Sequence, residues 1–231
     1  MSLTRYLLDG PVAHIQMDDG KANALSDAML GELDAALTRA ESEAGAVVLS
    51  GRPERFCAGF DLKVMMSGPK AAEALLRSGA ALLMRLYGSP LPVVAACTGH
   101  AVAGGALVLL TADVRIGAAG AFRIGLNEVS IGLPVPVLAM ELARDRVAQR
   151  DLGRATLRAH VFEPEEAARV GFLDEVVPAA DLGARAKEEA TKLAGLSKAA
   201  YRATKQRLRG GTIAHIRDTL DEDMATLMTG G

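Results

Sequence analysis

The spacing of apolar and polar residues near the start of the chain predicts a strand–helix–strand unit. Residues 6–17 alternate around a glycine-proline turn, and this pattern predicts a β-hairpin. Ser26 or Asp27 can cap a helix that carries one apolar face to about Glu43. The apolar run at 46–50 predicts the next strand. Because a helix between two strands serves as a crossover, we expect a parallel sheet.

Two further units in the middle of the chain repeat this order, and each has a glycine-marked loop between its strand and its helix. The predicted elements are a loop over 51–61, a helix over 69–87, a strand over 92–96, a turn over 99–105, a helix over 105–110 and a strand over 113–117. Tandem units of this kind indicate an α/β fold.

Helical periodicity dominates the last third of the chain, after about Leu133. The predicted helices cover 136–143, 145–153, 164–170, 180–195, 197–209 and 212–228, and one short strand covers 175–177. We therefore expect a helical C-terminal subdomain, with no solenoid repeat and no low-complexity linker.

The composition narrows the classes of function. The 231 residues are half hydrophobic but only 3% aromatic, with 24 glycines and no tryptophan, so small aliphatic side chains must form the core. The formal net charge of -2 provides no field that would attract nucleic acid or an anionic membrane, and we expect neither as a partner. The start of the chain lacks the apolar segment of a signal peptide. Cys57 and Cys97 make no disulfide framework, which suits a reducing compartment, so we expect a cytoplasmic protein.

Two glycine loops carry the candidate chemistry. Ala58 and Gly59 lie in the first loop, and Gly104 opens the apolar helix after the second. Small residues let backbone N–H groups face a cleft, and a helix N-terminus adds a positive dipole end. One N–H from each loop, directed at a single oxygen, would form an oxyanion hole. Two ordinary strand-to-helix turns are the alternative that this pattern leaves open.

Five segments together resemble the crotonase (enoyl-CoA hydratase/isomerase) superfamily. They are Lys21-Ala22-Asn23-Ala24-Leu25, Phe56-Cys57-Ala58-Gly59-Phe60-Asp61-Leu62, Gly99-His100-Ala101-Val102-Ala103-Gly104-Gly105, Asp113-Val114-Arg115-Ile116 and Gly125-Leu126-Asn127-Glu128-Val129. The resemblance covers nearly the whole chain, and the motifs are specific only in combination. It implies an acyl-CoA thioester substrate. Coenzyme A is part of that substrate, so we expect no separate cofactor and no metal.

The resemblance also implies a fold, an assembly and a set of site residues. The fold would be an α/β, crotonase-like spiral of repeated β-β-α units over 1–190, with a C-terminal helical region over 191–231 that mediates homotrimers or hexamers. The N–H groups of Ala58 and Gly104 would hold the thioester oxygen. The implied substrate-binding residues are Lys21, Ala22, Ala24, Asp61, Leu62, Gly105, Leu107 and Lys205. A solvated surface charge is the alternative for each lysine.

Two acidic positions in the family's hydratases bear on the reaction. The first corresponds to Leu107, so that acid is missing, and the second is present as Glu128. One carboxylate in an apolar pocket can shuttle a proton, because desolvation raises its pKa toward the working range. With Asn127 before Glu128, the pattern resembles the isomerase branch, which implies conversion of 3-enoyl-CoA into 2-enoyl-CoA.

Three alternatives to that reaction remain open from the sequence. The chain could be a weak hydratase that uses Glu128 alone, or a non-catalytic acyl-CoA-binding homologue. Glu128 could also be a purely structural acid at a helix N-terminus. Two other reactive side chains receive structural interpretations: His100 occupies a variable position of the family, and Cys57 is read as a small packed thiol. Two prolines between 131 and 136 indicate an acyl pocket of altered shape.

Overall fold

The computed structural model describes residues 2–229, and most of its elements follow the predicted order. The strands are β1 (Thr4–Asp9), β2 (Val12–Met17), β3 (Ala46–Ser50), β4 (Glu54–Cys57), β5 (Val93–Cys97), β6 (Gly99–Val102), β7 (Val114–Ala118), β8 (Ile124–Gly125) and β9 (Glu175–Val177). The helices are α1 (Asp27–Glu43), α2 (Leu62–Met65), α3 (Pro69–Tyr87), α4 (Gly104–Thr111), α5 (Val137–Arg146), α6 (Leu152–Ala155), α7 (Pro164–Val170), α8 (Leu182–Ala194) and α9 (Lys198–Thr229), with a 3-10 helix at Glu128–Ile131.

The strands form two sheets that the chain visits in turn. The larger sheet has the order β1-β2-β3-β5-β7-β9, and the smaller has the order β4-β6-β8. The β1–β2 pair is antiparallel, and the other pairs of these strands are parallel. Each successive strand pair, from β3/β4 to β7/β8, places one strand in each sheet. This repetition confirms the predicted α/β spiral of β-β-α units.

The larger sheet is covered on both faces. Its central strands β3 and β5 are almost wholly buried, which is why their sequences are continuous apolar runs rather than alternating ones. One face packs on the main core with α1, α3 and α4. The other face lies against α8, through the buried side chains of Leu182, Ala186 and Ala190. Within residues 2–229, no helix is long and apolar enough to cross a membrane.

The structure changes the sequence prediction in several places. The predicted loop at 51–61 contains β4, and the predicted turn at 99–105 contains β6. The two helices predicted at 197–209 and 212–228 are one helix, α9, which continues through its paired glycines. The predicted boundary after residue 190 falls inside α8, which is packed on the sheet. Helix α9 is the helix that lies wholly beyond that predicted boundary.

A buried ion cluster joins α9 to the spiral. The Asp113 carboxylate, between α4 and β7, accepts from Lys205 Nζ at 2.7 Å and from Arg209 Nη2 at 2.9 Å. Arg209 Nη1 also donates to the Tyr87 carbonyl at 2.8 Å. These charged groups lie in the interior, so their mutual pairing is what makes their burial tolerable. The cluster fixes the first half of α9 against the ends of α3 and α4.

Candidate active site

The two glycine loops meet beyond the ends of the paired strands β4 and β6. The first follows β4 and turns at Gly59, whose φ of 92° lies in the left-handed region that glycine adopts readily. The second enters α4 at Gly104 after Ala103, whose φ is 49°. A side chain built on Gly59 would come within 3.1 Å of the Gly104 nitrogen. The bare backbones of the two loops are therefore in direct contact, as a shared oxygen site requires.

Ala58 does not supply a free donor, which corrects the sequence prediction. Its N–H donates to the Ala22 carbonyl at 3.1 Å, so this group is already used inside the fold. The N–H of Phe60, two residues on, donates to no group within residues 2–229. The Gly104 N–H, at the open start of α4, is likewise without a partner in that part of the chain. The free donors at the contact belong to Phe60 and Gly104.

Glu128 lies just after β8, where the chain turns into the 3-10 helix. The residue is only 8% exposed, and its Oε2 atom is buried without a hydrogen-bond partner in the described chain. Burial raises the pKa of this carboxyl, and a hydrogen bond from its own backbone N–H opposes the rise in part. The Oδ1 atom of Asn127 is also buried and unpartnered. Such orphaned acceptors are rare in folded proteins and indicate a site that a ligand completes.

Leu107 lies on α4. Its side chain is buried in the main core, one helical turn after Gly104. The side chain at this position is aliphatic and has no carboxylate, so Leu107 can neither hold nor protonate a water molecule. The structure thus leaves Glu128 as the only carboxylate among the predicted catalytic residues.

The segment 21–25 runs alongside the first glycine loop, as expected for residues that share one binding path. The Leu25 N–H donates to the Gly59 carbonyl at 2.8 Å, and the Asp61 N–H donates to the Leu25 carbonyl at 3.2 Å. Lys21 is exposed at the start of this segment, and Ala22 and Ala24 are half-buried along it. The small side chains of Ala22 and Ala24 therefore lie in a segment bonded to the first glycine loop, and the exposed Lys21 lies at the start of that segment.

Two of three other predicted binding residues, Asp61 and Gly105, have structural roles in the fold. Asp61 caps α2, because its Oδ1 accepts from the Lys63 N–H at 2.9 Å. Leu62 begins α2, and its side chain is 66% exposed. Gly105 is a packing residue, since a side chain there would lie 2.0 Å from the Cys57 carbonyl oxygen.

Lys205 is not available to a coenzyme A phosphate, which is the second correction to the predicted site. Its ammonium group is buried and donates to Asp113 at 2.7 Å and to the Leu91 carbonyl at 3.2 Å. Burial lowers the pKa of Lys205 to about 8, and only its Asp113 partner works against that shift. A lysine so engaged serves the attachment of α9.

The structural interpretations of His100 and Cys57 agree with their contacts. His100 Nδ1 accepts from the Arg123 N–H at 3.0 Å, and its ring meets Phe122 edge-on. The Cys57 thiol is fully buried, and burial raises its pKa to about 12, so it stays protonated and unreactive.

The sequence prediction did not single out the Phe60 N–H, which has no acceptor in the described part of the chain. The direction of a backbone N–H depends on the torsion angles of the loop and on the strand it pairs with. The signal that could have pointed to Phe60 is Gly59, because a residue in the left-handed region reverses the direction of the next peptide.

Comparison with known proteins places these features among relatives. The family model described as enoyl-CoA hydratase/isomerase matches residues 9–226. Human mitochondrial enoyl-CoA delta isomerase 1 is 31% identical over 223 residues, which are 94% of this chain and 74% of that protein. A probable enoyl-CoA hydratase of Rhodobacter capsulatus is 37% identical over 210 residues, which are 90% of this chain and 81% of that protein.

A solved structure gives the same family likeness in three dimensions. The crystal structure of an enoyl-CoA hydratase/isomerase family protein from Pseudomonas syringae has a TM-score of 0.92 and 40% sequence identity, covering 98% of this chain and 97% of that chain. The relatives bear the names of both reactions, so the choice between isomerase and hydratase rests on the residues of this site.

Proposed function

The chain belongs to the enoyl-CoA hydratase/isomerase family, and from that premise we propose that it converts a 3-enoyl-CoA thioester into the conjugated 2-enoyl-CoA. One observation carries the proposal. Glu128 is a buried carboxylate with a raised pKa, its Oε2 has no hydrogen-bond partner among the described residues, and Leu107 occupies the position of the family's first acid. A single base without a second acid suits the transfer of a proton along one substrate.

The oxyanion hole of the proposed reaction consists of the free N–H groups of Phe60 and Gly104. Both would donate to the thioester carbonyl oxygen, which gains negative charge when the neighbouring carbon loses a proton. The N-terminal end of α4 adds its positive dipole at the same place. Fixed donors in a dry site need no reorganisation when this charge develops, so they stabilise the dienolate more than water does.

Glu128 moves the proton in this scheme. Its carboxylate removes a proton from C2 of the acyl chain, and the electron pair of the broken C2–H bond enters a dienolate that extends to C4. The protonated Glu128 then returns the proton to C4. The double bond has moved from C3–C4 to C2–C3, conjugated with the thioester, and the carboxylate is regenerated. No group other than Glu128 needs to exchange a proton.

Hydration of 2-enoyl-CoA is the second candidate, and one observation favours it. Asn127 Oδ1 and Glu128 Oε2 are buried, unpartnered acceptors on successive residues, and one water molecule could donate to both. A hydratase must also deliver a proton to the substrate, and Leu107 cannot help in that step. We therefore expect hydration to be slower than isomerisation.

The remaining parts of the proposal concern the ligand and the assembly. Coenzyme A enters as part of the substrate, and the exposed Lys21 at the start of the 21–25 segment suits its phosphates.

We also propose a homotrimer or hexamer, because Leu157 and Leu208 are each more than 70% exposed and would be covered by other copies. Light scattering should then give three or six times the chain mass of 24.1 kDa. The reducing conditions of the cytoplasm suit the two free, buried cysteines.

Paired substrates test the reaction. The chain is supplied with 3-enoyl-CoA in one cuvette and 2-enoyl-CoA in another, and the absorbance of the conjugated thioester is followed. We expect it to rise in the first cuvette and to change slowly in the second. Glu128→Gln should lower the first rate by about a hundredfold or more and leave the affinity for coenzyme A intact. The exposed Glu163→Gln is the matched control and should retain activity.

Other outcomes select the rivals. Fast loss of 2-enoyl-CoA with 3-enoyl-CoA untouched would make the chain a hydratase. Tight binding of both thioesters without turnover would make it an acyl-CoA-binding protein. Full activity in Glu128→Gln would mean that another base performs the transfer.

A further inference from the structure

Asn23 is a fully buried polar residue in a backbone conformation that few side chains adopt. Its exposure is 0%, and its φ of 54° lies in the left-handed region. It belongs to neither a strand nor a helix, and the proposed proton transfer does not involve it. A buried amide in such a position needs full hydrogen bonding to be tolerated.

The Asn23 side chain satisfies that need by joining three parts of the chain. Its Nδ2 donates to the Met17 carbonyl at the end of β2, at 3.0 Å. The same nitrogen donates to the carbonyls of Arg55 and Phe56 in β4, at 3.0 and 3.1 Å. Its Oδ1 accepts from the Asp19 N–H at 3.0 Å. The side-chain amide of Asn23 thus joins the 19–25 segment to β4, the strand that leads into the first glycine loop.

The attachment point in β4 is irregular. The pairing of β4 with β6 shifts register between Arg55 and Cys57, so the regular ladder does not carry through to the loop. Asn23 donates to the two carbonyls at this shift. The exit direction of the strand is therefore set by a side chain where the sheet itself provides less constraint.

Asp19 fixes the backbone of the 21–25 segment, to which Asn23 belongs. Its carboxylate accepts from the backbone N–H groups of Lys21, Asn23 and Ala24 at 2.7, 2.9 and 3.2 Å. With the 21–25 segment fixed in this way, Ala22 and Leu25 make their hydrogen bonds to residues 58–61. Those bonds consume the Ala58 N–H and leave the Phe60 N–H free.

We propose that Asn23 is a positioning residue for the oxyanion hole: its amide holds the β4 exit and the 21–25 segment together so that the Phe60 N–H is aimed at the thioester oxygen. The inference rests on the proposed function, because it gives Asn23 a part in stabilising the dienolate. Small errors in the placement of such a donor cost much of its effect on rate, since the stabilisation depends on pre-organised geometry.

Two variants separate this role from a general contribution to stability. Asn23→Asp keeps an acceptor for the Asp19 N–H and loses the donor to Arg55 and Phe56. Asn23→Gly removes all the side-chain hydrogen bonds of Asn23 but keeps the freedom of the backbone to adopt a positive φ. The matched control is Asp174→Asn, which weakens an ion pair with Arg115 in β7 and touches neither loop. Melting temperatures of all three variants provide the correction for stability.

Two readouts report on the donor. The first is the steady-state kinetics of isomerisation, with kcat and KM determined separately, and the second is the absorption band of bound 2,4-hexadienoyl-CoA. Hydrogen bonds to the carbonyl of this conjugated probe polarise it and shift its band to longer wavelength. We expect both Asn23 variants to lower kcat by about tenfold to a hundredfold, to change KM by less than about threefold, and to reduce the band shift of the bound probe. Asp174→Asn should leave kcat and the band shift unchanged.

The inference is overturned if the Asn23 variants keep the band shift and lose no more kcat than the control does at an equal loss of melting temperature. If Asn23→Asp does not fold, Asn23→Gly decides on the same criteria. Failure of the proposed function is a separate result. A wild-type chain that shifts the band of the probe but does not isomerise 3-enoyl-CoA would refute the reaction, and the band shift would still report on Asn23. A wild-type chain that binds the probe without any shift would refute both.

Discussion

At the scale of single residues, the proposed chemistry depends on the Glu128 carboxylate, whose Oε2 has no hydrogen-bond partner within residues 2–229. Glu128 is buried, and desolvation raises its pKa because the charged form is the one that loses solvation. The same burial makes the ionised carboxylate a stronger base for a carbon acid. Two predictions at this scale follow from that one property.

The first concerns the pH dependence of turnover. Glu128 must be ionised to accept the C2 proton, so kcat should fall as pH drops through its raised pKa in the enzyme–substrate complex. The midpoint of the pH–kcat profile should therefore lie above the ordinary pKa of glutamate. Stopped-flow or steady-state rates with 3-enoyl-CoA measure it. A midpoint at or below the ordinary value would contradict the role assigned to burial.

The second concerns stability. The folded state keeps the Glu128 proton to higher pH than the unfolded state does, so stability is lost as pH rises from the ordinary glutamate pKa through the raised one. Glutamine cannot ionise and escapes this loss. Glu128→Gln should melt at a higher temperature than the wild type at pH 7 to 8, and the difference should shrink in acid. Glu163→Gln, as the exposed control, should show no such pH-dependent gain. Equal melting of wild type and Glu128→Gln across this range would oppose the assigned effect of burial.

The residues of the site were only partly predictable from the sequence. Motif spacing could single out Glu128, Gly104 and Leu107 as candidates, and the structure shows that Glu128 and Leu107 are buried and that Gly104 begins α4. The free N–H of the first loop could not be predicted, because the bond from Ala58 to Ala22 joins positions far apart in sequence. Lys205 failed for a similar reason, since only the fold brings it to Asp113. The Lys21 assignment remains a prediction.

At the scale of elements, the length and the apolar content of each strand or helix decided whether the sequence could predict it. Strand β3 and helices α3 and α7 match their predicted bounds because each is a distinct apolar or amphipathic run. The smaller sheet was missed because β4, β6 and β8 have four residues or fewer and are defined by pairing with distant partners. Helix α9 runs through Gly210 and Gly211 because buried contacts on both sides, at Arg209 and Ile216, offset the poor helix propensity of glycine.

Gly105 tests how closely α4 must approach β4. An added side chain would lie 2.0 Å from the Cys57 carbonyl oxygen, so the backbone itself would have to move. Gly105→Ala should destabilise the fold by about 1–3 kcal/mol or more and reduce isomerisation, because the displaced helix carries the Gly104 N–H. Gly31→Ala is the control: nothing lies within 4 Å of an added side chain in the middle of α1. It should stabilise by about 0.5–1 kcal/mol. Denaturant unfolding measures both, and a harmless Gly105→Ala would mean that the two loops need not touch.

The attachment of α9 gives the second prediction for the elements. Lys205 and Arg209 share the Asp113 carboxylate, so Asp113→Asn leaves buried charge uncompensated and should cost about 3–5 kcal/mol. Lys205→Met leaves the Asp113–Arg209 pair intact and should cost much less. It should also leave the dissociation constant for coenzyme A unchanged. A clear loss of coenzyme A affinity in Lys205→Met would restore Lys205 to the binding site.

At the scale of the whole molecule, the spiral explains why two loops that are far apart in sequence lie next to each other. Each turn of the chain adds one strand to each sheet, so the loops that follow β4 and β6 are neighbours in space although they are separated by α3 in sequence. The spiral also brings the end of β8, and with it Glu128, into the next position along the smaller sheet. The sequence pattern could predict this fold class. The direction of each backbone N–H group in the two loops depends instead on contacts between successive turns of the spiral.

The decisive step of the proposed reaction is the transfer of one proton from C2 to C4 of the same substrate by one buried carboxylate. A substrate 3-enoyl-CoA that carries deuterium at both C2 positions, turned over briefly in ordinary water, tests this step. Mass spectrometry and NMR of the 2-enoyl-CoA product then locate the label. We predict that a measurable fraction of the product holds deuterium at C4, because the buried Glu128 carboxyl returns the atom that it removed before exchange with solvent is complete. Product without any deuterium at C4, or 3-hydroxyacyl-CoA as the main product, would contradict this proton transfer.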